Sequence, residues 1–250
     1  MAINKKLIHF RRKEVFEEKL ANNEILNTSI VFIDDTNEIW THGENYKFIE
    51  WDVLIPKGYD SLFIQDINGK LWTISDWDNS VTPNGIAIKV NDGYSVMALD
   101  TLSGSYQISS DKKFEAPDMP IFSTAAAAIQ DVDGFSNTQL MASLYGDSTD
   151  YAVGTSMNYT FPNGENGYLP SAGELNIVLD NLDYAEQLLA LCNGMSLSDG
   201  AFITSTRGVD FSNGQVSYWF WTKSNGWINW AGIDGMFTVR PFYKLNVENN

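Results

Sequence analysis

The stretch GYLPSAGELNIVLDNLDYAEQLLALCNG, residues 167–194, carries the clearest local structure in this chain of 250 residues. Ser171 and Glu174 have the spacing of a capping box, in which each side chain bonds the backbone N–H of the other, so a helix is predicted to begin after Ser171. Asn193-Gly194, which follows Cys192, is a typical helix stop. The stretch therefore predicts a pair of consecutive helices.

Short strand-like runs separated by Gly, Asn and Asp lie on both sides of this pair. Asn68-Gly69 in SLFIQDINGKLWTI and residues 91–93 in IAIKVNDGYSVMAL are flanked by hydrophobic runs, which predicts two hairpins. Further helices are predicted at 124–130 and 137–145, and the apolar run 236–243 predicts a last strand. Hairpins together with grouped helices indicate an α+β fold.

The N-terminal residues form a different kind of segment. Six of the sixteen basic residues lie in the first twenty positions. The run at 5–10 predicts a strand, the residues after it predict an amphipathic helix, and 28–40 predict a hairpin. We predict a small strand-helix-hairpin module over residues 1–58 and one larger domain over residues 59–250. So small a core favours self-association or docking of the module.

The charge of the chain excludes several classes of partner. Sixteen Lys and Arg against 32 Asp and Glu give a formal net charge of −16, which repels phosphate backbones and anionic lipids. No apolar run reaches the roughly 18 residues of a membrane span, and no signal-peptide pattern follows the first methionine. Nucleic acid binding, membrane insertion and export by a signal peptide are therefore not expected.

The groups that catalyse most hydrolytic reactions are sparse. His9 and His42 both lie in the N-terminal module, so the larger domain has no imidazole to serve as a base. Cys192 lies among leucines, as a small core residue would. Asp131 and Asp133 have the start of a calcium-loop pattern without its glutamate, so a solvated turn is predicted there. We predict no enzymatic activity, no cofactor and no metal, although a carboxylate pair for glycoside hydrolysis stays open.

Half of the eight tryptophans lie within SYWFWTKSNGWINW, residues 217–230. Rigid aromatic rings interleaved with Ser, Asn and Gly are typical of a ligand-binding surface, and a Trp-rich core hairpin is the alternative. Because side chains alternate along a strand, we predict that one face of this segment is core and the other displayed. One face carries Ser217, Trp219 and Trp221, and the other carries Tyr218, Phe220 and Thr222.

Two sets of motifs resemble known families. GYLPSAGEL (167–175), ITST (203–206) and TVRPF (238–242), in this order, resemble the C-type-lectin-like domains of the formylglycine-generating-enzyme type, particularly the variable proteins of diversity-generating retroelements. The resemblance covers about residues 60–245. NKKLIHF together with TSIVFIDDTNEIWTHG resembles the N-terminal module of Bacteroides-type phage tail proteins. The disulfides and calcium ligands of animal C-type lectins and the oxidase cysteines of the formylglycine-generating enzymes are not recognisable.

The resemblance implies a tail-fibre or receptor-binding protein located in the virion tail. The N-terminal module would attach to other phage tail proteins and assemble as a trimer, and the lectin-like domain would present a diversified surface to a host cell-surface protein or glycan. A tail-associated glycan depolymerase and a purely structural virion subunit remain alternatives.

The same resemblance implies which residues vary. In the family, template adenines before the last conserved strand are replaced at random, so Asn codons give variable residues whereas Trp and Lys stay fixed. The implied variable, ligand-binding positions are Ser217, Tyr218, Phe220, Thr222, Ser224, Asn225, Asn229, Ala231, Gly232 and Asp234. The implied fixed positions are the aromatic scaffold Trp219, Trp221, Trp227 and Trp230, together with Lys223.

Overall fold

The protein is described by a computed structural model. It describes residues 7–10, 13–22, 30–33, 38–41, 47–50, 61–91, 93–108, 118–198, 200–209, 216–230 and 235–245. The chain divides into two compact units, Met1–Lys57 and Gly58–Asn250. Both combine α-helical structure with antiparallel strand pairs, which confirms a mixed α and β architecture.

Within its described residues, the first unit holds one helix and a four-stranded sheet. Its strands and helix are β1 (Leu7–Phe10), α1 (Lys13–Ala21), β2 (Ile30–Ile33), β3 (Glu38–Thr41) and β4 (Lys47–Glu50). The strand order follows the sequence, with β1 and β2 parallel and the other pairs antiparallel. A parallel pair needs a crossover connection, and α1 lies in it. The predicted strand, helix and hairpin are present, and β4 is an addition.

The larger sheet of the second unit is built from the two predicted hairpins. Its strands are β5 (Leu62–Asp66), β6 (Leu71–Trp72), β7 (Pro83–Val90), β8 (Gly93–Met97) and, after strands β9 to β11 described below, β12 (Phe242–Leu245). The order is β12-β8-β7-β5-β6, and every neighbouring pair is antiparallel. Gly69, at φ +87°, supplies the left-handed turn between β5 and β6.

The last strand differs from its prediction. The sequence predicts a strand over 236–243, whereas β12 begins only at Phe242. Phe237 and Thr238 form isolated bridges with Tyr106 and Phe202 instead. The segment before β12 therefore pairs with two separate parts of the chain before β12 joins the larger sheet.

The second sheet holds the aromatic segment. It consists of β9 (Ala201–Val209), β10 (Val216–Thr222) and β11 (Gly226–Trp230), in the order β11-β10-β9 and antiparallel throughout. The register between β9 and β10 shifts between Tyr218 and Phe220, which marks a bulge.

The helices connect the two sheets along the chain. They are α2 (Ala125–Ala128), α3 (Gly134–Tyr145), α4 (Ala152–Met157), α5 (Ala172–Leu179) and α6 (Leu182–Leu191). The capping box at the start of α5 is confirmed, and α6 ends before Asn193, whose φ is +55°. The start predicted for α3 at residue 137 is wrong, because Asp133 is the N-cap.

Two of the hydrophobic clusters in the second unit join its sheets to its helices. One lies between the larger sheet and the helices α5 and α6, and includes Ile86, Leu175 and Leu188. The other joins α3 to the second sheet and includes Met141 and Ile203. Among the described residues, no helix has the length and apolar character needed to cross a bilayer.

Candidate ligand-binding surface

The LPSAGEL motif is organised around the buried carboxylate of Glu174. The Ser171 backbone N–H (2.9 Å) and the Ser95 hydroxyl (2.8 Å) donate hydrogen bonds to this carboxylate, and so does the Tyr168 hydroxyl. Burial raises the pKa of Glu174, while these hydrogen bonds act in the opposite direction. The motif thus fixes the start of α5 against β8 and has a structural role.

The TVRPF motif places a buried guanidinium beside two loops. Arg240 is 1% exposed and donates to the carbonyl oxygens of Ala98 (3.0 Å), Leu99 and Met195 (2.7 Å). Burial lowers the pKa of Arg240 to about 10. The arginine therefore joins the segment before β12 to the loops that follow β8 and α6.

The carboxylate of Asp131 has a structural role as well. It accepts hydrogen bonds from the Thr206 hydroxyl (2.7 Å), the Asn137 amide (2.9 Å) and the Asp133 backbone N–H (3.1 Å). The predicted solvated turn is wrong for Asp131, because this side chain is buried between α3 and the ITST segment of β9.

The predicted display face of β10 is part of the core. Tyr218 and Phe220 are 3% and 7% exposed. They lie in the cluster of Met141 and Ile203, where the Phe220 and Phe237 rings are 4.7 Å apart between centroids. The expectation that Tyr218 and Phe220 face solvent is therefore wrong, because residues from distant parts of the chain cover this face.

The opposite face of β10 is covered too. Ser217 is buried, and Trp219 packs against Ala128 and Ala172 while its indole N–H donates to the Phe122 carbonyl at 3.0 Å. The exposure expected for Ser217 as a ligand-binding position is therefore wrong as well. The middle of β10 is enclosed on both sides.

Two further tryptophans pack against neighbouring elements. Trp221 stacks on Phe202 with ring centroids 6.4 Å apart, and the Trp227 indole N–H donates to the Asn176 side-chain oxygen at 3.0 Å. Both side chains are half-buried. The indoles therefore hold the end of the β10–β11 hairpin against β9 and α5.

Exposure begins at the turn of this hairpin. Lys223, Ser224 and Asn225 are exposed and Thr222 is half-buried. The Thr222 hydroxyl accepts from the Asn225 backbone N–H at 3.2 Å and lies 3.4 Å from the Ser224 hydroxyl. Gly226, at φ +68°, closes the turn in the left-handed conformation. The structure thus brings three predicted binding positions together at one tip.

An open groove of about 420 Å³ lies beside the turn. It is lined by Ser198, Gly200, Ala201, Thr222, Lys223 and Ser224. The first three of these were not predicted as site residues. The pairing of Ala201 with Thr222 brings the start of β9 to the turn, and this register was not evident in the sequence.

The other predicted positions lie outside the described side chains. Asn229 and Trp230 belong to β11, where Asn229 pairs with Trp219 and Trp230 with Tyr218, but only their backbone is described. Ala231, Gly232 and Asp234 lie outside the described residues.

The part of the chain that the structure describes offers few reactive groups. Cys192 is buried, and burial raises the pKa of its thiol to about 12, so the thiolate is scarce near neutral pH. Within the described ranges, no group of three His, Cys, Asp or Glu side chains is placed to hold a metal ion. The polar side chains of the hairpin turn are the groups that the groove offers to a ligand.

Comparisons of the chain with family models, with curated proteins and with solved structures find no match.

Proposed function

We propose that the larger unit is a non-enzymatic ligand-binding module of C-type-lectin-like type, in a receptor-binding protein of a phage tail. The observation that carries this proposal is the hairpin turn at Lys223–Asn225, which exposes polar side chains beside a groove. The strand leading to it is packed on both faces. A rigid support reduces the entropy lost when a ligand orders the surface, so more of the contact energy appears as affinity.

The chemistry of the turn suits a polar cell-surface ligand. Hydroxyls from Thr222 and Ser224 and the Asn225 amide donate and accept hydrogen bonds, and Lys223 adds a cation. A groove this open gives weak affinity per site. The N-terminal unit, proposed to attach to the tail and to form a trimer, would raise the overall affinity by placing three sites on one particle.

We expect the turn to carry adhesion. Replacing Thr222, Ser224 and Asn225 together by alanine should reduce binding of the fluorescently labelled protein to intact Bacteroides cells at least tenfold, with little change in melting temperature. The reason is that these side chains are exposed or half-buried and their removal leaves no cavity. Flow cytometry measures the binding, and thermal unfolding measures stability.

A matched control keeps this experiment specific. Gln139 and Ser143 are exposed polar residues of α3 that do not line the groove, and their replacement by alanine should leave binding unchanged. Undiminished adhesion of the triple variant would refute the assignment of the turn. It would favour a purely structural virion subunit, the second candidate, which the burial of Tyr218, Trp219 and Phe220 favours.

Ser217, Tyr218 and Phe220 are buried, so diversification is no longer proposed for them, whereas Asn229, Ala231, Gly232 and Asp234 stay predictions. Thr222, Ser224 and Asn225 remain as exposed or half-buried variable positions, and Lys223 lies fixed among them. The DNA around the gene tests this. We expect a near-copy of its 3′ segment beside a reverse transcriptase gene, with differences confined to template adenines. A locus without such a copy would refute diversification and leave the adhesion experiment unaffected.

A further inference from the structure

A second cavity of about 270 Å³ lies in the larger unit and shares no residue with the groove at the hairpin turn. It is enclosed by the β7–β8 turn, the start of α3 and the end of β12. Its size is just below the roughly 300–1,000 Å³ of typical small-molecule sites, so it suits a ligand of a few heavy atoms.

The buried end of this cavity is a carboxylate. Glu174, Tyr168 and Ser95 line it and are almost fully buried, at 2%, 1% and 4% exposure. The Ser95 and Tyr168 hydroxyls both donate to Glu174, and their oxygens lie 2.9 Å apart. No ion pair joins Glu174 to a cationic side chain among the described residues. Burial raises the pKa of this carboxyl group and an approaching cation stabilises its ionised form, so the cavity favours a cation next to this group.

Aromatic rings line the same cavity nearer to solvent. Phe135 is 44% exposed and lies edge-on to Tyr168, with ring centroids 5.8 Å apart. The Tyr168 ring lines the cavity as well, whereas the Tyr94 ring packs against Phe63 on the opposite face of the larger sheet. The faces of such rings attract ammonium groups and contact their methyl or methylene groups favourably.

The charges around the cavity also favour a cation. Its lining holds Glu174 and Asp133 against Lys244, one more negative than positive charge. Residues 58–250 contain eight Lys and Arg against 22 Asp and Glu, a formal charge of −14. The summed field of such a domain attracts small cations and repels small anions.

We propose that this cavity binds a small alkylated ammonium ion. The aromatic ring of Phe135, which lies against Tyr168, contacts its methyl groups, and Glu174 supplies the opposing charge. Lys244, an exposed residue directly across the β-ladder from Ser95, weakens this binding through its own positive charge. The proposal does not depend on the function assigned to the hairpin turn.

The test titrates the full chain with tetramethylammonium chloride and, separately, with neopentyl alcohol, an uncharged molecule of similar shape. We expect saturable NMR shifts at the cavity residues with the ion at constant ionic strength, and much smaller shifts with the alcohol. Equal shifts with both compounds, or none with the ion, would overturn the proposal.

Two variants test the geometry without disturbing Glu174, which caps α5. Phe135→Ala should weaken tetramethylammonium binding about two- to fivefold, the size of a cation–π contact at an exposed site. Leu144→Ala, at an equally exposed apolar position of α3 outside the cavity, should leave it unchanged. If both variants weaken binding equally, the site is not this cavity.

The positive charge of Lys244 at the rim provides a test of whether the cavity favours a cation. Lys244→Met should tighten tetramethylammonium binding, whereas Lys89→Met, the same charge change at an exposed residue that does not line the cavity, should have a smaller effect. Weaker binding after Lys244→Met would be the opposite of the effect expected from charge and would refute the proposal.

The ammonium group can belong to a free amine or to a lipid headgroup. Sedimentation with phosphatidylcholine vesicles separates these sources. Co-sedimentation that tetramethylammonium abolishes assigns the headgroup, and binding of the free ion without co-sedimentation assigns a soluble amine. Co-sedimentation unaffected by tetramethylammonium or by Phe135→Ala would place lipid contact elsewhere and count against a headgroup ligand in this cavity.

Discussion

Phe220→Ala is expected to lower the free energy of unfolding by about 3–5 kcal/mol, the usual cost of removing a buried phenyl ring. Phe220 is buried in the cluster that joins α3 to the second sheet and packs against Phe237. Its removal leaves a cavity between β10 and the segment before β12, which can close only if both move. Urea unfolding followed by tryptophan fluorescence measures the loss.

Ser224→Ala is the matched control on the same hairpin. Ser224 is exposed at the turn, so its replacement should change stability by less than about 0.5 kcal/mol. The two variants also distinguish a core role for the Phe220 ring from a role in contacting a ligand. If Phe220→Ala kept full stability and lost cell adhesion, the ring would have to face a ligand, and the burial described above would be refuted.

The sequence predicts the elements that local chemistry determines. The capping box at Ser171 and Glu174 needs residues only three positions apart, and Asn68-Gly69 supplies its own turn geometry. Both predictions are confirmed, because the relevant hydrogen bonds and backbone angles lie within a few residues. The parallel pairing of β1 with β2 and the fourth strand of the first unit have no comparable local signal.

The prediction for β10 fails because alternation alone does not show how many faces of a strand are buried. Ser217 and Trp219 lie on one face, Tyr218 and Phe220 on the other, and all four are buried. The covering residues come from α2, α5, α3 and the segment at Phe237, which are separate in sequence. Exposure increases again where the strand passes the edge of these elements, at the turn after Thr222.

The roles of the motif residues were also hidden, because their partners are far away in the sequence. The Asp131 carboxylate meets the Thr206 hydroxyl across 75 positions, and the Arg240 guanidinium meets the Ala98 carbonyl across 142. A motif shows that such residues matter and does not show what they contact. The contacts assign them to the framework that holds the loops.

Arg240→Met tests that framework role, and we expect a loss of about 2–4 kcal/mol in the free energy of unfolding. A methionine fills much of the same volume but donates no hydrogen bond, so the Ala98 carbonyl loses its bond from Arg240 in a buried position. The Leu99 carbonyl still accepts from the Met195 backbone N–H at 3.0 Å, which limits the cost. The shift in the urea midpoint at unchanged slope measures it.

Two further substitutions show whether the hydrogen bonds or the burial of charge decides the outcome. Arg240→Lys keeps the charge with fewer donors and should recover part of the loss, whereas Lys244→Met, at an exposed neighbour on β12, should be nearly neutral. Transferring a guanidinium from water into the protein is costly, as its lowered pKa indicates. If Arg240→Met were as stable as the native chain, the cost of burying the guanidinium would equal the stabilisation that its hydrogen bonds provide. The arginine would then specify the positions of the two loops without adding to the stability of the fold.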